Sequence, residues 1–202
     1  MKKQNLFSLT ACIFFIYLAF ACKSSNKLWC GSMITNVEAD SEPENFVIFN
    51  DGTKITGENI SYQTGAFVSD QIKVNNEKYP IADTRGFKAN GIFYGRVGNN
   101  YAKRIIAGKI NIYYREKTVV STTTDASGRT KTRTSLDCLY YYQVGDTGIL
   151  EEFYKYNTIR ELIQGCTKAA AMMDKSDNEI KKILKDDSGY LNSVFETYNS
   201  CK

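Results

Sequence analysis

Phe46-Val47-Ile48-Phe49-Asn50-Asp51-Gly52-Thr53-Lys54-Ile55-Thr56 is the stretch that decides the fold class. Apolar and β-branched residues favour a pleated, half-buried strand. Asn-Asp-Gly then supplies residues that tolerate positive φ, which a tight hairpin turn requires. The stretch predicts two antiparallel strands. The same grammar recurs downstream. Gln71-Ile72-Lys73-Val74 and Glu77-Lys78-Tyr79 flank Asn75-Asn76, which predicts a second hairpin. Ile92-Phe93-Tyr94, Ala102 to Ile106, Lys109 to Tyr113, Val119-Val120, Leu139 to Tyr142 and Ile149 to Tyr154 extend the pattern. Val119-Val120 is expected to pair with Leu139–Tyr142 across a polar loop at 121–134. Roughly nine or ten short strands with frequent turn signals predict an antiparallel sandwich or open barrel-like sheet.

Beyond this region the period changes from two to 3.6. Ile159, Leu162, Ile163, Cys166, Ala169, Ala170 and Met173 recur at helical spacing, as do Tyr190, Leu191, Val194, Phe195 and Tyr198. Helices are expected at about 158–173, 177–186 and 189–200. Thr158 with Glu161 and Ser176 with Glu179 are candidate capping boxes. The expected class is α+β, predominantly antiparallel β with a C-terminal helical segment.

Upstream, Met1-Lys2-Lys3 precedes an apolar run from Leu6 to Ala21 and then Cys22. As a helix the run would measure about 24 Å, short of the ~20 apolar residues a membrane span needs. It reads as an export signal. A small residue directly before a cysteine fits lipoprotein processing, with Cys22 as the lipidated N-terminus, although bulky Phe20 intervenes. Ala19-Phe20-Ala21 also suits ordinary cleavage. The expected organisation is a signal peptide over 1–21, a lipid-anchored polar lead-in over 22–44, a β-rich domain over 45–157 and helices packed on it over 158–202. The expected location is the cell envelope: an outer-membrane anchor, facing the periplasm or the surface.

Without Lys2 and Lys3, 24 basic residues face 22 acidic ones, a net charge of +2. That balance argues against a nucleic-acid partner. The chain has no histidine. This removes histidine-dependent nucleophile activation, the usual general base and the commonest metal ligand. No cofactor or metal is implied.

Of six cysteines, Cys12 lies in the signal and Cys22 at the lipid site, leaving Cys30, Cys138, Cys166 and Cys201. Exported chains of this kind form disulfides, and four cysteines allow three pairings. Cys166 and Cys201 continue two inward helix faces, which favours their pairing. Cys30–Cys138 follows by elimination. The alternative is free buried thiols acting as small apolar side chains.

Asn50-Asp51-Gly52-Thr53-Lys54-Ile55 with Gly57, Ala102-Lys103-Arg104-Ile105-Ile106 through Gly108 to Tyr114, and Tyr198-Asn199-Ser200-Cys201 carry a resemblance. Over about residues 45–201 the chain is similar to uncharacterised exported proteins and lipoproteins of Bacteroidota-type bacteria. The resemblance implies an exported, sheet-rich protein with a C-terminal cysteine pair. It brings no activity. The polar 121–134 segment departs from it.

Three features could carry function. Arg129, Lys131 and Arg133 alternate, so on a strand they share one side. They could meet lipid phosphates or an acidic polymer, or simply keep a hairpin tip soluble. Tyrosines, Tyr113 and Tyr141 among them, could stack on sugar rings or peptides if they face outward, or form ordinary cross-strand pairs. Glu151-Glu152 and Asp186-Asp187 are adjacent carboxylates, whereas acid–base work needs carboxylates that face each other. The expected function is a non-catalytic binding or scaffolding module near a membrane. It would be held by its N-terminal lipid and would have an envelope glycan or protein partner. A histidine-free hydrolase or inhibitor in the periplasm or at the cell surface is the alternative.

Overall fold

The computed structural model describes residues 28, 30–35, 44–64 and 70–202. The export signal, Cys22, Trp29 and Pro43 lie outside the described residues. The fold is α+β. Among the described residues it contains eleven strands in two antiparallel sheets, followed by four helices. The strands are β1 (Phe46–Phe49), β2 (Lys54–Thr56), β3 (Ile60–Gln63), β4 (Gln71–Val74), β5 (Glu77–Pro80), β6 (Thr84–Ala89), β7 (Ile92–Val97), β8 (Asn100–Ile106), β9 (Ile110–Thr124), β10 (Thr130–Val144) and β11 (Glu151–Phe153). The helices are α1 (Tyr156–Leu162), α2 (Thr167–Met173), α3 (Asp177–Asp186) and α4 (Tyr190–Ser200).

Both expected hairpins form. Val47 pairs with Ile55 across the Asn-Asp-Gly turn, where Gly52 takes φ +90°. β4 and β5 meet across Asn75-Asn76, where Asn75 takes φ +55°. The large sheet runs β11-β10-β9-β8-β7-β6-β1-β2, and the small one β3-β4-β5. The large sheet stays open rather than closing into a barrel. From β6 to β11 each strand pairs with the next, so the sheet is mostly a meander.

One face of this sheet carries both main clusters. At the β1–β2–β6 end, Val47 and Phe87 pack with Ile72, Val74 and Ile81, the latter three from the small sheet and the turn after it. At the other end, Ile112, Tyr140 and Phe153 pack with Ile159, Met173, Ile180 and Phe195 of the helices. Leu28 and residues 30–35 strap across this second cluster. Leu28 and Met33 are buried in it. The Asn192 side chain accepts from Ile34 N–H at 2.8 Å and donates to Ile34 C=O at 3.1 Å. This part of the lead-in is therefore docked on the body.

Several sequence expectations need correction. The 158–173 stretch is two seven-residue helices, broken at 163–166. Gly165, a poor helix former, sits in the break, and Cys166 is the N-cap of α2. The first helix starts at Tyr156 and its N-cap Lys155 makes no side-chain cap bond, so Thr158 and Glu161 form no capping box there. Ser176 and Glu179 do form theirs. β3 and β6 were not expected: Ile60-Ser61-Tyr62-Gln63 is largely polar, and Gly86 interrupts the β6 pattern. Tertiary pairing supplies what local pattern lacks.

Tyr101, Tyr113, Tyr140 and Tyr156 are all buried. Burial, the largest cause in each case, pushes each hydroxyl up to about 12 from an ordinary value of 10.0. The Tyr156 hydroxyl has no hydrogen-bond partner among the described residues. A raised folded-state pKa means that the unfolded chain loses its proton first as pH rises. The stabilisation is whole below about pH 10 and is lost as pH climbs towards about 12. We expect the unfolding free energy to fall steeply in that window, by about 1.4 kcal/mol per pH unit for each tyrosine at most, and the urea midpoint with it. Unfolding curves read at several alkaline pH values check this. A midpoint that is flat through the window contradicts it.

Candidate docking arm

The element that stands out is the outer half of β9 and β10. Each strand is 15 residues long. Only their inner halves touch the core. From Glu116↔Cys138 to Thr124↔Thr130 the two strands pair without interruption, and nearly every residue between is exposed. At ~3.4 Å per residue this ribbon is about 27 Å long. The expected 121–134 loop is therefore strand, except for the turn at Asp125–Arg129. Val120 opposes Thr134, and Leu139–Tyr142 oppose Ile112–Arg115, which corrects the expected pairing. Threonine is polar enough to read as loop, but its β-branch favours the extended backbone.

The turn is set by side-chain chemistry. The Asp125 carboxylate accepts from Ser127 N–H at 2.9 Å, Ser127 Oγ–H at 2.6 Å and Arg129 N–H at 3.0 Å. The Ser127 hydroxyl and then the Arg129 amide hold that carboxyl below its usual range. Gly128 takes φ +79°, the left-handed position that ends the turn.

Register divides the ribbon into two chemically different faces. One continues the helix-side face of the sheet. It carries Thr118, Val120, Thr122 and Thr124 on β9 against Leu136, Thr134, Thr132 and Thr130 on β10. It is uncharged beyond Glu116, and Val120 and Leu136 are 62% and 51% exposed. The other face pairs Lys117 with Asp137, Ser121 with Arg133 and Thr123 with Lys131. Lys131 and Arg133 thus share a side as alternation predicts. Arg129 sits at the turn, where its carbonyl accepts from Asp125 N–H.

The same face runs on into the body as one transverse, mostly aromatic row in which Lys88 and Arg104 are the cations and Glu152 the carboxylate. Thr56, Phe46, Lys88 and Phe93 stand in register. Arg104, Tyr113, Tyr141 and Glu152 continue the row. The Lys54 ammonium lies 4.7 Å from the Phe46 ring centre and the Arg104 guanidinium 4.8 Å from that of Phe93. Sequence reasoning missed this row, because it takes one residue from each of eight strands. The only local signal was that Lys and Arg alternate with aromatics in short strands.

Tyr113 and Tyr141 do not form an outward row. They are 1% and 4% exposed and pack with Ala102 in a small cluster on this face. The Tyr113 hydroxyl donates to Gln143 Oε1 at 2.7 Å. Leu150 folds over from the β10–β11 loop, close enough to Gly95 that a Cβ there would sit 2.9 Å from Leu150 Cδ2. Burial removes both tyrosines from any contact surface.

At the arm's base, Cys138 is bonded to Cys30 of the strap. The second disulfide joins Cys166 to Cys201, the pairing that helix spacing favoured, and Cys30–Cys138 is the one that elimination left. Two disulfides suggest an oxidising, extracytoplasmic location. The Tyr114 hydroxyl donates to Glu116 Oε1 at 2.7 Å beside Cys138. Burial first, then Glu116, push its pKa well up. Of the acidic pairs, Glu151 accepts from the Tyr142 hydroxyl at 2.5 Å. Glu152 opposes Tyr141 and so points to the other face. Asp186 ends α3, and Asp187 accepts from Gly189 N–H at 2.8 Å. None of these makes a facing pair. Comparison with protein-family models, curated proteins and solved structures finds no match.

Proposed function

We propose that the chain is an exported, lipid-anchored binding or scaffolding module of the bacterial cell envelope, and that the β9–β10 arm is its contact element. The observation that carries this is the arm itself. It buries almost no apolar surface, so it contributes little to the core, yet it is regular over nine cross-strand pairs. Regular structure that the core does not require is explained by contact with something outside. Among the described residues no strand pairs with its outer edges, its threonine face offers a row of hydroxyls, and Val120 and Leu136 are exposed among them. An envelope glycan or a protein partner fits that face. The anchor at Cys22 is supported by the signal-like N-terminus and by cysteines paired as an oxidising compartment pairs them.

The test is to shorten the arm. Residues 118–136 are replaced by Asn-Gly, which can close a hairpin between Lys117 and Asp137. The variant should retain both disulfides and its unfolding midpoint. The lipid anchor alone would keep either form on the membrane, so the readout is cross-linking of the anchored protein to envelope glycan or protein, which should fall by about tenfold or more, equivalent to ~1.4 kcal/mol. Undiminished cross-linking removes the arm from the proposal. Intact-mass analysis of the mature protein tests the anchor. A lipid-bearing N-terminal Cys22 supports it, and a chain starting at Met1 defeats it.

A further inference from the structure

We infer that the cationic face of the arm rests on the anionic lipid headgroups of the membrane that carries the anchor, which leaves the threonine face for the envelope partner. This rests on the lipid-anchored reading above. Three observations lead to it.

The first is charge. Lys117, Lys131 and Arg133 lie on one face, with Arg115 at its base and Arg129 at its tip. The carboxylates there are Asp137, opposite Lys117, and Asp125, whose oxygen is occupied by the turn. The opposite face carries Glu116 and no cation. The cations are therefore sorted, and the excess on one side is about three charges.

The second is shape. Two paired strands present a ribbon rather than a cleft, and among the described residues nothing on its cationic face rises to grip a polymer chain. Val119 is the one apolar side chain on it beyond Leu139. A flat, polar, cationic ribbon matches a charged plane, with no wedge to insert into acyl chains.

The third is reach. Leu28 N–H donates to Tyr154 C=O at 2.8 Å, so the chain joins the body next to β11, at the sheet edge beside the arm. Five residues lie between Cys22 and Leu28, a span of at most about 22 Å. The ribbon is longer than that tether. An anchored molecule therefore holds its arm within reach of the bilayer, and the edge gives access to either face. Charge decides which face turns down, at a factor of about five per cation near an anionic surface.

The test uses the membrane-extracted, lipid-bearing protein reconstituted on vesicles of phosphatidylcholine alone or with phosphatidylglycerol. Lysine acylation is read by peptide mass. Lys117 and Lys131 should label about tenfold more slowly on the anionic vesicles than on the neutral ones. Lys168 and Lys185 on the helices should label alike on both. High salt, or Arg129→Gln with Arg133→Gln, should abolish the protection, since screening at ~1 M shortens the interaction to about 3 Å. Equal labelling of Lys117 and Lys131 on both vesicles overturns the inference. Protection by a soluble acidic polysaccharide but not by vesicles also overturns it, and assigns the face to a glycan. Flotation reports the anchor separately. Protein that does not float with neutral vesicles sinks the anchored reading, whereas floating protein with unprotected lysines sinks the docking alone.

Discussion

Replacing Cys30 and Cys138 together by alanine is expected to lower the stability of the folded chain by about 4–5 kcal/mol. The bond closes a segment of 108 residues. In the chain-entropy description a loop of that length loses about 4.8 kcal/mol worth of unfolded-state freedom. The Cys166–Cys201 bond closes only 35 residues, worth about 3.8 kcal/mol on the same footing. The native strap has other holds. Leu28, Ser32 and Met33 are buried, Asn192 brackets Ile34, and Lys103 Nζ donates to Thr35 C=O at 3.0 Å. The variant should therefore keep its native contacts and unfold earlier, because the restriction acts on the unfolded chain. Guanidinium unfolding with the Cys166–Cys201 bond verified by mass measures this. A loss below about 1 kcal/mol would mean that the reduced, unfolded chain already keeps the strap near β10.

Phe195→Ala is expected to cost about 3–5 kcal/mol, the range for emptying a large aromatic site in a packed core. Phe195 is fully buried on α4. Its ring meets Phe153 of β11 edge-on, with centroids 6.2 Å apart. It belongs to the cluster that joins sheet, helices and strap. Removing it leaves a void between layers that are tied down on every side: Cys201 to Cys166, Asn199 to Ile110 and Asn192 to Ile34. Because those ties limit collapse, the cost should fall in the upper part of the range. Phe195→Leu keeps most of the volume and should cost clearly less. Paired unfolding curves of the two variants settle the comparison. Equal losses would point to the aromatic contact rather than to the cavity as the cause.

Much of the architecture is legible locally. The Asn-Asp-Gly and Asn-Asn turns fix two hairpins because few residues accept positive φ. The Ser176–Glu179 box and Ile180, Ile183 and Leu184 define α3 to the residue. The arm is where local reading fails. Its threonines resemble a loop by polarity and a strand by backbone preference, and only uninterrupted pairing with the opposite strand decides between them. The two buried tyrosines fail for a related reason. Alternation says that Tyr113 and Tyr114 face opposite ways, but not that Leu150 will cover the face bearing Tyr113. The closing Tyr198-Asn199-Ser200-Cys201 stretch gains its meaning in three dimensions. Asn199 accepts from Ile110 N–H at 2.9 Å and donates to Ile110 C=O at 3.0 Å. A Cβ on Gly108 would come within 2.3 Å of the Asn199 side chain.

Turn chemistry, a change of hydrophobic period and the placement of cysteines are short-range or additive properties, and from them the chain alone determines an antiparallel sheet followed by helices and the favoured disulfide partners. Which side of each strand is covered, how far β9 and β10 run beyond the core, and the assembly of one mixed aromatic and charged row from eight strands depend on contacts between residues distant in sequence. Those are decided only when the layers close, because burial belongs to the packed arrangement and to no single segment.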